Sequence, residues 1–236
     1  MIKLVCFVVR RPDLSREAFH RHWREVHGPL IAGLPTMRRH LVRYEQNHRL
    51  DEDYARGGEY DGSTIMWFES MAEYDAFAAE PDYAGKIAPD EAGFMDRSRT
   101  MFFFTEAEDV KWGGVEEHAR ARVKLLALLR RRRDLMPDAF HAHWSGPHAA
   151  IFERTPALHD TILAYQQNHR FAADYERDPG TRWDGLAEQW YASLEAFASG
   201  AGGPPFEALV VPDEERFMDR AATTFLLCAP PDVIVP

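Results

Sequence analysis

The sequence predicts an α+β protein made of two ferredoxin-like repeats, each with the element order βαββαβ, packed together as an α/β barrel within one chain. Two observations predict the repeats: the second half of the chain reproduces motifs of the first half in register, and each half alternates strand-like and helix-like stretches in this order. A third observation, apolar side chains on both faces of each expected sheet, predicts that the two sheets cover each other.

The internal repeat is visible as a constant shift of 121 residues, which carries Phe19 to Phe140. The same shift matches Phe19-His20-x-His22-Trp23 with Phe140-His141-x-His143-Trp144, and Tyr44-x-Gln46-Asn47-His48-Arg49 with Tyr165-x-Gln167-Asn168-His169-Arg170. Beyond two inserted residues the shift becomes 123, and Phe94-Met95-Asp96-Arg97 meets Phe217-Met218-Asp219-Arg220. Register held over this length indicates a duplication, with repeat 1 expected at residues 1–108 and repeat 2 at residues 121–236. The stretch between them, 109–120, is charged, contains Gly113-Gly114 and is expected to be a linker.

In repeat 1 the apolar, β-branched run 2–9 predicts the first strand, and Pro12 ends it. Ser15 is the expected N-cap of a helix that runs to about Leu34, with Gly28-Pro29 bending or interrupting it. Further strands are expected at 41–49, 63–68 and 100–104, a loop at 50–60, and a helix at 71–79 capped by Ser70. The segment 81–96 is expected to be irregular, with room for another short helix.

Repeat 2 has the same order of elements. Strands are expected at 122–129, 160–170, 184–191 and 222–228, a first helix at 136–155, and a broken helix at 193–217 that Gly200–Pro205 shortens.

Composition limits the function classes. The chain has 236 residues, 45% of them apolar, and a formal net charge of −10, which argues against nucleic-acid and anionic-membrane partners. Cys6 and Cys228 both lie in apolar runs, so no disulfide framework is expected. No signal peptide and no membrane span is predicted, and we expect a cytoplasmic protein.

One candidate constellation lies on the first helix. At about 100° per residue, Phe19, Trp23 and Val26 form the buried stripe, with His20 and His27 at its edge and His22 on the opposite flank. Trp144 and His148 repeat this geometry. A histidine beside a core tryptophan is often a structural residue, and this alternative stays open for His27.

The second constellation lies on a strand. Alternation places Tyr44, Gln46 and His48 on one face, and Tyr165, Gln167 and His169 do the same in repeat 2. A mostly apolar wall with a few polar groups is typical of a ligand pocket, and imidazoles suit acid–base chemistry near neutrality. The alternative is a strand end at the surface with a turn-forming asparagine.

Metal and anion sites have weaker support. His20 and His22 diverge by about 200° on a helix, and no metal-binding spacing is present, so no metal and no cofactor is expected. The run 130–133 of four arginines is interpreted as a solvated turn paired with carboxylates such as Asp134.

The motif Phe19-x-x-x-Trp23-x-x-x-His27-Gly28-Pro29-Leu30, followed by Tyr44-x-Gln46-Asn47-His48, resembles the EthD family of the dimeric α/β-barrel superfamily, and both repeats carry it. The resemblance implies ferredoxin-like units that pair into a barrel, with pockets between the sheet and its helices. Relatives in the superfamily include cofactor-free cyclases and dehydratases, lactone isomerases, quinol-type monooxygenases and haem proteins. Repeat 2 departs after His148, where Ala149-Ala150-Ile151 replaces Gly28-Pro29-Leu30, which favours repeat 1 as the active copy.

The predicted function is therefore cofactor-independent acid–base catalysis, of the lyase, cyclase, decarboxylase or isomerase type, on a hydrophobic aromatic or polycyclic small molecule. The expected catalytic residues are His27, His48, Tyr44, His148, His169 and Tyr165. The expected substrate-binding residues are Trp23, Gln46, Asn47, Trp67, Phe102, Phe104, Trp144, Gln167, Asn168 and Trp190. A non-catalytic ligand-binding protein, an oxygenase or a haem binder are the alternatives, and a homodimer is left open.

Overall fold

The computed structural model describes residues 1–236, and the chain divides into two units. Unit 1 comprises Met1–Glu106 together with Pro231–Pro236, and unit 2 comprises Ala107–Pro230. The C-terminal residues therefore belong to the unit that begins the chain.

Unit 1 contains β1 (Ile2–Val8), β2 (Arg43–His48), β3 (Gly62–Phe68), the first part of β4 (Met101–Lys111) and β9 (Asp232–Val235). Its helices are α1 (Arg16–His22), α2 (Gly28–Gly33), α3 (Pro35–Arg38), α4 (Met71–Ala79) and α5 (Ala88–Phe94). Two π-helical turns, Trp23–His27 and Tyr83–Ile87, precede α2 and α5, and a 3-10 helix spans Asp51–Arg56.

Unit 2 contains the last part of β4, then β5 (Val123–Leu129), β6 (Ala164–Arg170), β7 (Gly185–Tyr191) and β8 (Thr224–Cys228). Its helices are α6 (Val115–Arg120), α7 (Pro137–His143), α8 (Ala149–Arg154), α9 (Pro156–His159), α10 (Ala172–Arg177), α11 (Leu194–Ala201) and α12 (Val211–Phe217). The π-helical turns recur at Trp144–His148 and Phe206–Val210.

The strand order confirms the predicted ferredoxin-like repeats. The sheet of unit 1 runs β4-β1-β3-β2-β9 with antiparallel neighbours, and unit 2 has β8-β5-β7-β6 with the end of β4 beside β6. In both units the first strand lies between the third and fourth strands of its repeat, as the βαββαβ order requires. None of the helices has the length and apolar character that a membrane span requires.

Several elements lie outside the sequence expectation, among them the 3-10 helix Asp51–Arg56 in the expected loop 50–60. The stretch 109–120, expected to be a linker, contains the end of β4 and helix α6. The C-terminal strand β9 pairs with β2, where the sequence gives only a three-residue apolar run, 233–235, after Pro230-Pro231-Asp232.

The register of the sheet in unit 1 decides which side chains face the helices. Leu4 pairs with Met66 and Cys6 with Thr64, so the even-numbered residues of β1 and β3 share one face. Tyr44 pairs with Met66, which places Tyr44, Gln46 and His48 of β2 on that same face, as the alternation predicted.

The first helix is continuous through Gly28-Pro29 but changes its winding just before them. A proline cannot donate to the carbonyl four residues earlier and clashes with it, and the wider turn Trp23–His27 accommodates this, with the Gly28 N–H bonded to the Trp23 carbonyl. The extra residue in the turn shifts the phase of the helix. Val26 is therefore 46% exposed, against the expectation that it is buried, and His27 takes the inward position at 4% exposure.

The repeated Asp-Gly motif has a packing role. A Cβ atom on Gly62 would lie 2.6 Å from Cζ3 of Trp23, and one on Gly185 would lie 2.5 Å from the same atom of Trp144. The strand must therefore carry glycine where the tryptophan of the first helix lies flat against it.

The repeated Arg-x-x-x-Asp motif after the second strand forms a buried ion pair. Arg49 Nε lies 2.7 Å from Asp53 Oδ2, and Arg170 Nε lies 2.6 Å from Asp174 Oδ2, with all four side chains almost fully buried. Each guanidinium also donates to backbone carbonyls of the following loop, so these arginines tie the loop to the strand end.

Candidate functional site

Unit 1 contains a cavity between the helix face of its sheet and the helices that cover it. The sheet contributes Leu4, Cys6, Val8, Thr64, Met66 and Phe102, and the helical segments contribute Trp23, His27, Ile31, Tyr74, Phe77, Tyr83, Ile87, Glu91 and Phe94. The cavity volume is about 240 Å³. Most of these side chains are apolar, so the cavity suits a hydrophobic ligand.

The cavity opens to solvent at one side. Ala78, Arg97 and Phe102 line it and are exposed, with Phe102 at 37%. A small molecule can therefore enter between the start of β4 and the helical segment that follows β3.

His27 is the imidazole that lines this cavity, because the π-helical turn directs it inward. Its Nδ1 lies 2.8 Å from Asp90 Oδ2, while Nε2 has no hydrogen-bond partner in the protein. The ring also packs on Phe94, with centroids 5.0 Å apart. A carboxylate that accepts from Nδ1 fixes the tautomer and leaves Nε2 as a proton acceptor, which is the arrangement of a general base.

Asp90 holds two imidazoles at once. Its Oδ1 lies 2.8 Å from His22 Nε2, and its Oδ2 contacts His27. Burial alone would raise the pKa of Asp90, but the hydrogen bonds from His27 and His22 outweigh it and lower the pKa. Asp90 thus stays a carboxylate that orients His27 and would stabilise an imidazolium formed there.

Glu91, the next residue of α5, also lines the cavity but has different surroundings. The Tyr83 hydroxyl lies 3.4 Å from both of its carboxyl oxygens, and Arg97 Nε is 3.7 Å away. Burial raises the pKa of Glu91, which favours its protonated form.

Trp23 and Phe102 line the cavity, as expected for the apolar wall. Phe104 lies on the same face of the sheet but does not line it; it is buried against Tyr74, with ring centroids 4.5 Å apart. Trp67 lies on the opposite face, where Lys3 Nζ sits 4.8 Å from its ring centroid, because odd-numbered residues of β3 point away from the helices.

The polar row on β2 forms a hydrogen-bonded chain beside the cavity and does not line it. Gln46 Nε2 donates to the Trp23 carbonyl and to the Tyr44 hydroxyl, each at 2.9 Å, and its Oε1 lies 3.3 Å from His48 Nε2. Gln46 thus adds a second hydrogen bond to the Trp23 carbonyl, which already accepts from the Gly28 N–H in the π-helical turn. The expected contact of Tyr44, Gln46 and His48 with substrate stays a prediction.

His48 makes its closest polar contact with another histidine. Its Nδ1 lies 2.8 Å from His20 Nδ1, and His20 Nε2 lies 2.9 Å from the Tyr54 hydroxyl. Burial lowers the pKa of His48 to about 2 and that of His20 to about 4. Both rings are therefore neutral near pH 7, against the expectation of imidazoles close to their ordinary pKa.

Asn47 lies on the sheet face opposite the cavity, where its amide donates to the Ser63 carbonyl at 3.1 Å. Asn168 repeats this contact in unit 2 and also donates to Glu188 Oε1, at 3.0 Å. The side-chain amide groups of Asn47 and Asn168 thus form hydrogen bonds within the sheet.

Unit 2 reproduces the polar groups of the candidate site. His148 Nδ1 lies 2.9 Å from Asp213 Oδ2, and His143 Nε2 lies 2.9 Å from Asp213 Oδ1. Burial raises the pKa of Glu214, the counterpart of Glu91, to about 7.

The strand and wall residues of unit 2 also match their counterparts. Gln167 donates to the Trp144 carbonyl at 3.0 Å and to the Tyr165 hydroxyl at 3.2 Å, and His169 lies 2.9 Å from His141. Burial raises the pKa of Tyr165 to about 12 and lowers that of His169 to about 3. Trp190 stacks under Lys124 as Trp67 does under Lys3.

The pockets found in unit 2 differ from the cavity of unit 1. One pocket of unit 2 is a shallow surface depression lined by charged side chains such as Arg132 and Arg220, and the other, beside Phe152, holds only about 10 Å³. Neither is lined by Trp144 or His148.

Several residues that line the cavity of unit 1 have different counterparts in unit 2. Phe152 stands where unit 1 has Ile31, and its ring packs on His148 and Tyr165 at centroid distances of 5.3 and 5.1 Å. Gly200 stands where unit 1 has Phe77, and Phe206 where it has Tyr83.

Gly200 brings α11 close to the sheet. A Cβ atom there would lie 2.7 Å from Thr161 Oγ1 and 3.6 Å from Tyr191 Cε1. In unit 1, Phe77 instead places a buried ring between α4 and the sheet, 5.4 Å from Phe68 and 5.8 Å from Tyr83.

No group of three or more histidine, cysteine, aspartate or glutamate side chains is placed to share a metal ion. Cys6 lines the cavity, and burial raises the pKa of its thiol to about 12, so the thiol is protonated at neutral pH.

Asp90, Glu91 and Tyr83 were missed as candidates in the sequence. The signal was present, because Pro89-Asp90-Glu91 matches Pro212-Asp213-Glu214 at the shift of 123 residues. The segment 81–96 was expected to be irregular, so its carboxylates were not placed opposite His27.

A family model described as "EthD domain" matches residues 11–98 and again residues 132–221. The two matches cover most of each unit and coincide with the two repeats.

The curated relatives include two fungal proteins. The chain is 27% identical over 122 residues to a "Conidial pigment biosynthesis dehydratase EthD" of Metarhizium robertsii, an alignment that covers 44% of this chain and 84% of that protein. It is 26% identical over 112 residues to "Dehydratase aurZ" of Gibberella zeae, covering 41% of this chain and 72% of that protein. Among solved structures, an "anthrone oxidase-like protein" superposes with a TM-score of 0.64 at 9% identity, covering 100% of this chain and 93% of the other, which supports the fold alone.

Proposed function

Because the chain belongs to the EthD domain family, we propose that it is a dehydratase whose active site is the cavity of unit 1. Two relatives that bear the name dehydratase support an enzyme of this type. The substrate would be a hydrophobic small molecule, and an aromatic or polycyclic one fits the aromatic lining of the cavity.

The observation that carries the proposal is the His27–Asp90 pair. His27 lines an apolar cavity with its Nε2 free, and its Nδ1 is fixed by the Asp90 carboxylate, which is 14% exposed and lies 2.8 Å away. A general base needs this combination of a fixed tautomer and access to substrate.

The reaction that this base would serve is elimination from a β-hydroxy carbonyl compound. His27 Nε2 would take a proton from the carbon next to the carbonyl, the electron pair would form a carbon–carbon double bond, and the hydroxyl group would leave with a proton as water. The imidazolium formed in this step would be stabilised by Asp90. Proton removal from carbon is also the first step of many isomerisations, and the names of the relatives favour the lyase.

The two histidines of the two units supply the test. We expect His27→Asn to lower kcat for dehydration at least hundredfold, because the amide cannot accept the proton, whereas His148→Asn should leave kcat within about twofold. Turnover would be followed by mass spectrometry on a panel of fused-ring β-hydroxy ketones, and folding of each variant by thermal melting.

Three outcomes would contradict the proposal. Saturable ligand binding without loss of water would identify a binding protein instead. Full activity of His27→Asn would remove the base. A larger loss in His148→Asn than in His27→Asn would place the active site in unit 2.

A further inference from the structure

We infer that Glu91 is the second catalytic residue of the unit 1 cavity and that it protonates the oxygen that leaves as water. This inference rests on the proposed function, since it assigns the other half of the same elimination. Hydroxide is a poor leaving group, so an active site that removes water gains from an acid placed opposite its base.

The position of Glu91 follows from its neighbour. Asp90 and Glu91 are consecutive residues of α5, so their side chains diverge by about 100°. Asp90 points to His22 and His27, whereas Glu91 lines the cavity and points to Tyr83. One helical turn thus delivers a carboxylate behind the base and a second carboxyl group to the cavity wall.

The surroundings of Glu91 favour its protonated form. Its side chain is only 12% exposed, and burial raises its pKa against the opposing charges of His27 and then Arg97. Arg97 Nε stays 3.7 Å away, and the Arg97 side chain is half exposed. In unit 2 the matching Arg220 lies 2.8 Å from Glu214. Even with that closer arginine, burial raises the pKa of Glu214 to about 7, so burial outweighs the arginine at this position of the repeat.

Asp90 and Glu91 therefore have opposite protonation tendencies. Hydrogen bonds from two imidazoles lower the pKa of Asp90, and burial raises the pKa of Glu91. Adjacent carboxyl groups whose environments separate their pKa values are the arrangement that assigns one to the charged role and the other to the acid role.

The other proton carriers of the cavity are poorer donors. Burial raises the pKa of the Cys6 thiol to about 12, and it also raises the pKa of the Tyr83 phenol. Tyr83 lies 3.4 Å from both carboxyl oxygens of Glu91, so it is placed to orient that carboxyl group.

The size of the cavity defines a probe. An engineered cavity of about 150 Å³ binds benzene, so a cavity of about 240 Å³ has room for roughly two fused rings. The probe is 3-hydroxy-1-tetralone, in which loss of the C2 proton and of the C3 hydroxyl gives water and, after tautomerisation, 1-naphthol. The second probe, 3-chloro-1-tetralone, gives the same naphthol but expels chloride, which needs no proton.

The two probes separate an acid from a base. With background elimination subtracted, we expect Glu91→Gln to lower kcat on the hydroxy ketone by about 10² to 10⁴, the usual contribution of a general acid, and on the chloro ketone by less than about tenfold. His27→Asn should lower kcat on both ketones by a similar factor. The matched control, Glu214→Gln in unit 2, should leave both rates unchanged.

An equal loss on both ketones in Glu91→Gln would overturn the inference, because it would show that Glu91 acts on the fold or on binding. Unchanged dehydration by Glu91→Gln would overturn it as well. Failure of the proposed base has a different signature: His27→Asn would remain active on the chloro ketone while Glu91→Gln still lost only the hydroxy ketone.

Discussion

The two units hold the same polar groups at nearly the same distances, but the pockets found beside those groups differ. His27 and His148 lie 2.8 and 2.9 Å from their aspartates, and Glu91 and Glu214 occupy the same position beside them. In unit 1, His27 and Glu91 line the cavity of about 240 Å³, and neither pocket found in unit 2 is lined by His148 or Glu214. The difference teaches that the apolar residues around these polar groups decide whether a ligand has room beside them.

The apolar difference is concentrated where the second helix of each repeat meets its sheet. Phe77 holds α4 away from the sheet, whereas Gly200 lets α11 approach Thr161 and Tyr191 closely. Phe152 then fills the space that Ile31 leaves open in unit 1. Both changes reduce the space between the helices and the sheet in unit 2, where packed side chains occupy the region that corresponds to the unit 1 cavity.

The largest effect is expected from making unit 1 resemble unit 2 at the helix. Phe77→Gly should reduce kcat/KM at least hundredfold and lower the free energy of unfolding by about 3–5 kcal/mol, because a buried aromatic ring and the spacer between helix and sheet are lost together. Steady-state kinetics and denaturant unfolding would measure both. Phe77→Leu is the control, since it keeps a spacer and should retain most of the activity; equal losses in both variants would contradict the spacer role.

A smaller effect is expected from filling the cavity without moving the helix. Ile31→Phe should raise the Kd of a fused-ring ligand at least tenfold and change the free energy of unfolding by only about 1–3 kcal/mol, since the added ring enters open space. Isothermal titration would measure binding. The reciprocal change, Phe152→Ile, should destabilise unit 2 by a similar amount and leave binding unaltered; weaker binding in that variant would mean that unit 2 also holds ligand.

The smallest effect is expected on the pH dependence of the free energy of unfolding, through a buried histidine pair that both units contain. In both, burial lowers the pKa of a histidine pair, to about 4 for His20 and about 2 for His48, and to about 4 for His141 and about 3 for His169. Between pH 6.5, the ordinary pKa of histidine, and these lowered pKa values, the unfolded chain binds more protons than the folded chain. The free energy of unfolding is therefore highest above about pH 6.5 and falls as the pH decreases.

His48→Gln and His169→Gln should each reduce the loss of unfolding free energy between pH 7 and pH 5 by about 1–2 kcal/mol, and to a similar extent. His159→Gln, at a histidine that is 40% exposed, is the control and should leave the slope unchanged. A clear difference between the two variants would break the equivalence of the units at this pair.

The fold could be predicted because it depends on patterns that the duplication shows twice. The match of Phe19-x-x-x-Trp23 with Phe140-x-x-x-Trp144 fixes the first helix of each repeat, and alternation places Tyr44, Gln46 and His48 on one face. These are local regularities of 3.6 and 2 residues, which a sequence displays directly.

The site was only partly predictable, for two physical reasons. A π-helical turn adds one residue to a helical turn. The helical wheel, which assumes 3.6 residues per turn, was therefore wrong by one position from Trp23 onward and predicted Val26 to be buried. The pairing of His27 with Asp90 joins residues 63 positions apart, and no local period reports such a contact. The spacer role of Phe77 depends in turn on how closely a helix approaches a sheet.

The pairing of β9 with β2 has a consequence for the synthesis of the chain. The strand that closes the outer edge of unit 1 is made of residues 232–235, more than 180 residues after β2. While the ribosome is still adding unit 2, β2 presents an open row of backbone donors and acceptors, the kind of edge that invites pairing with a foreign strand. Unit 1 therefore completes its sheet only after unit 2 has been synthesised. Until β9 emerges, the backbone groups on the outer edge of β2 remain unpaired.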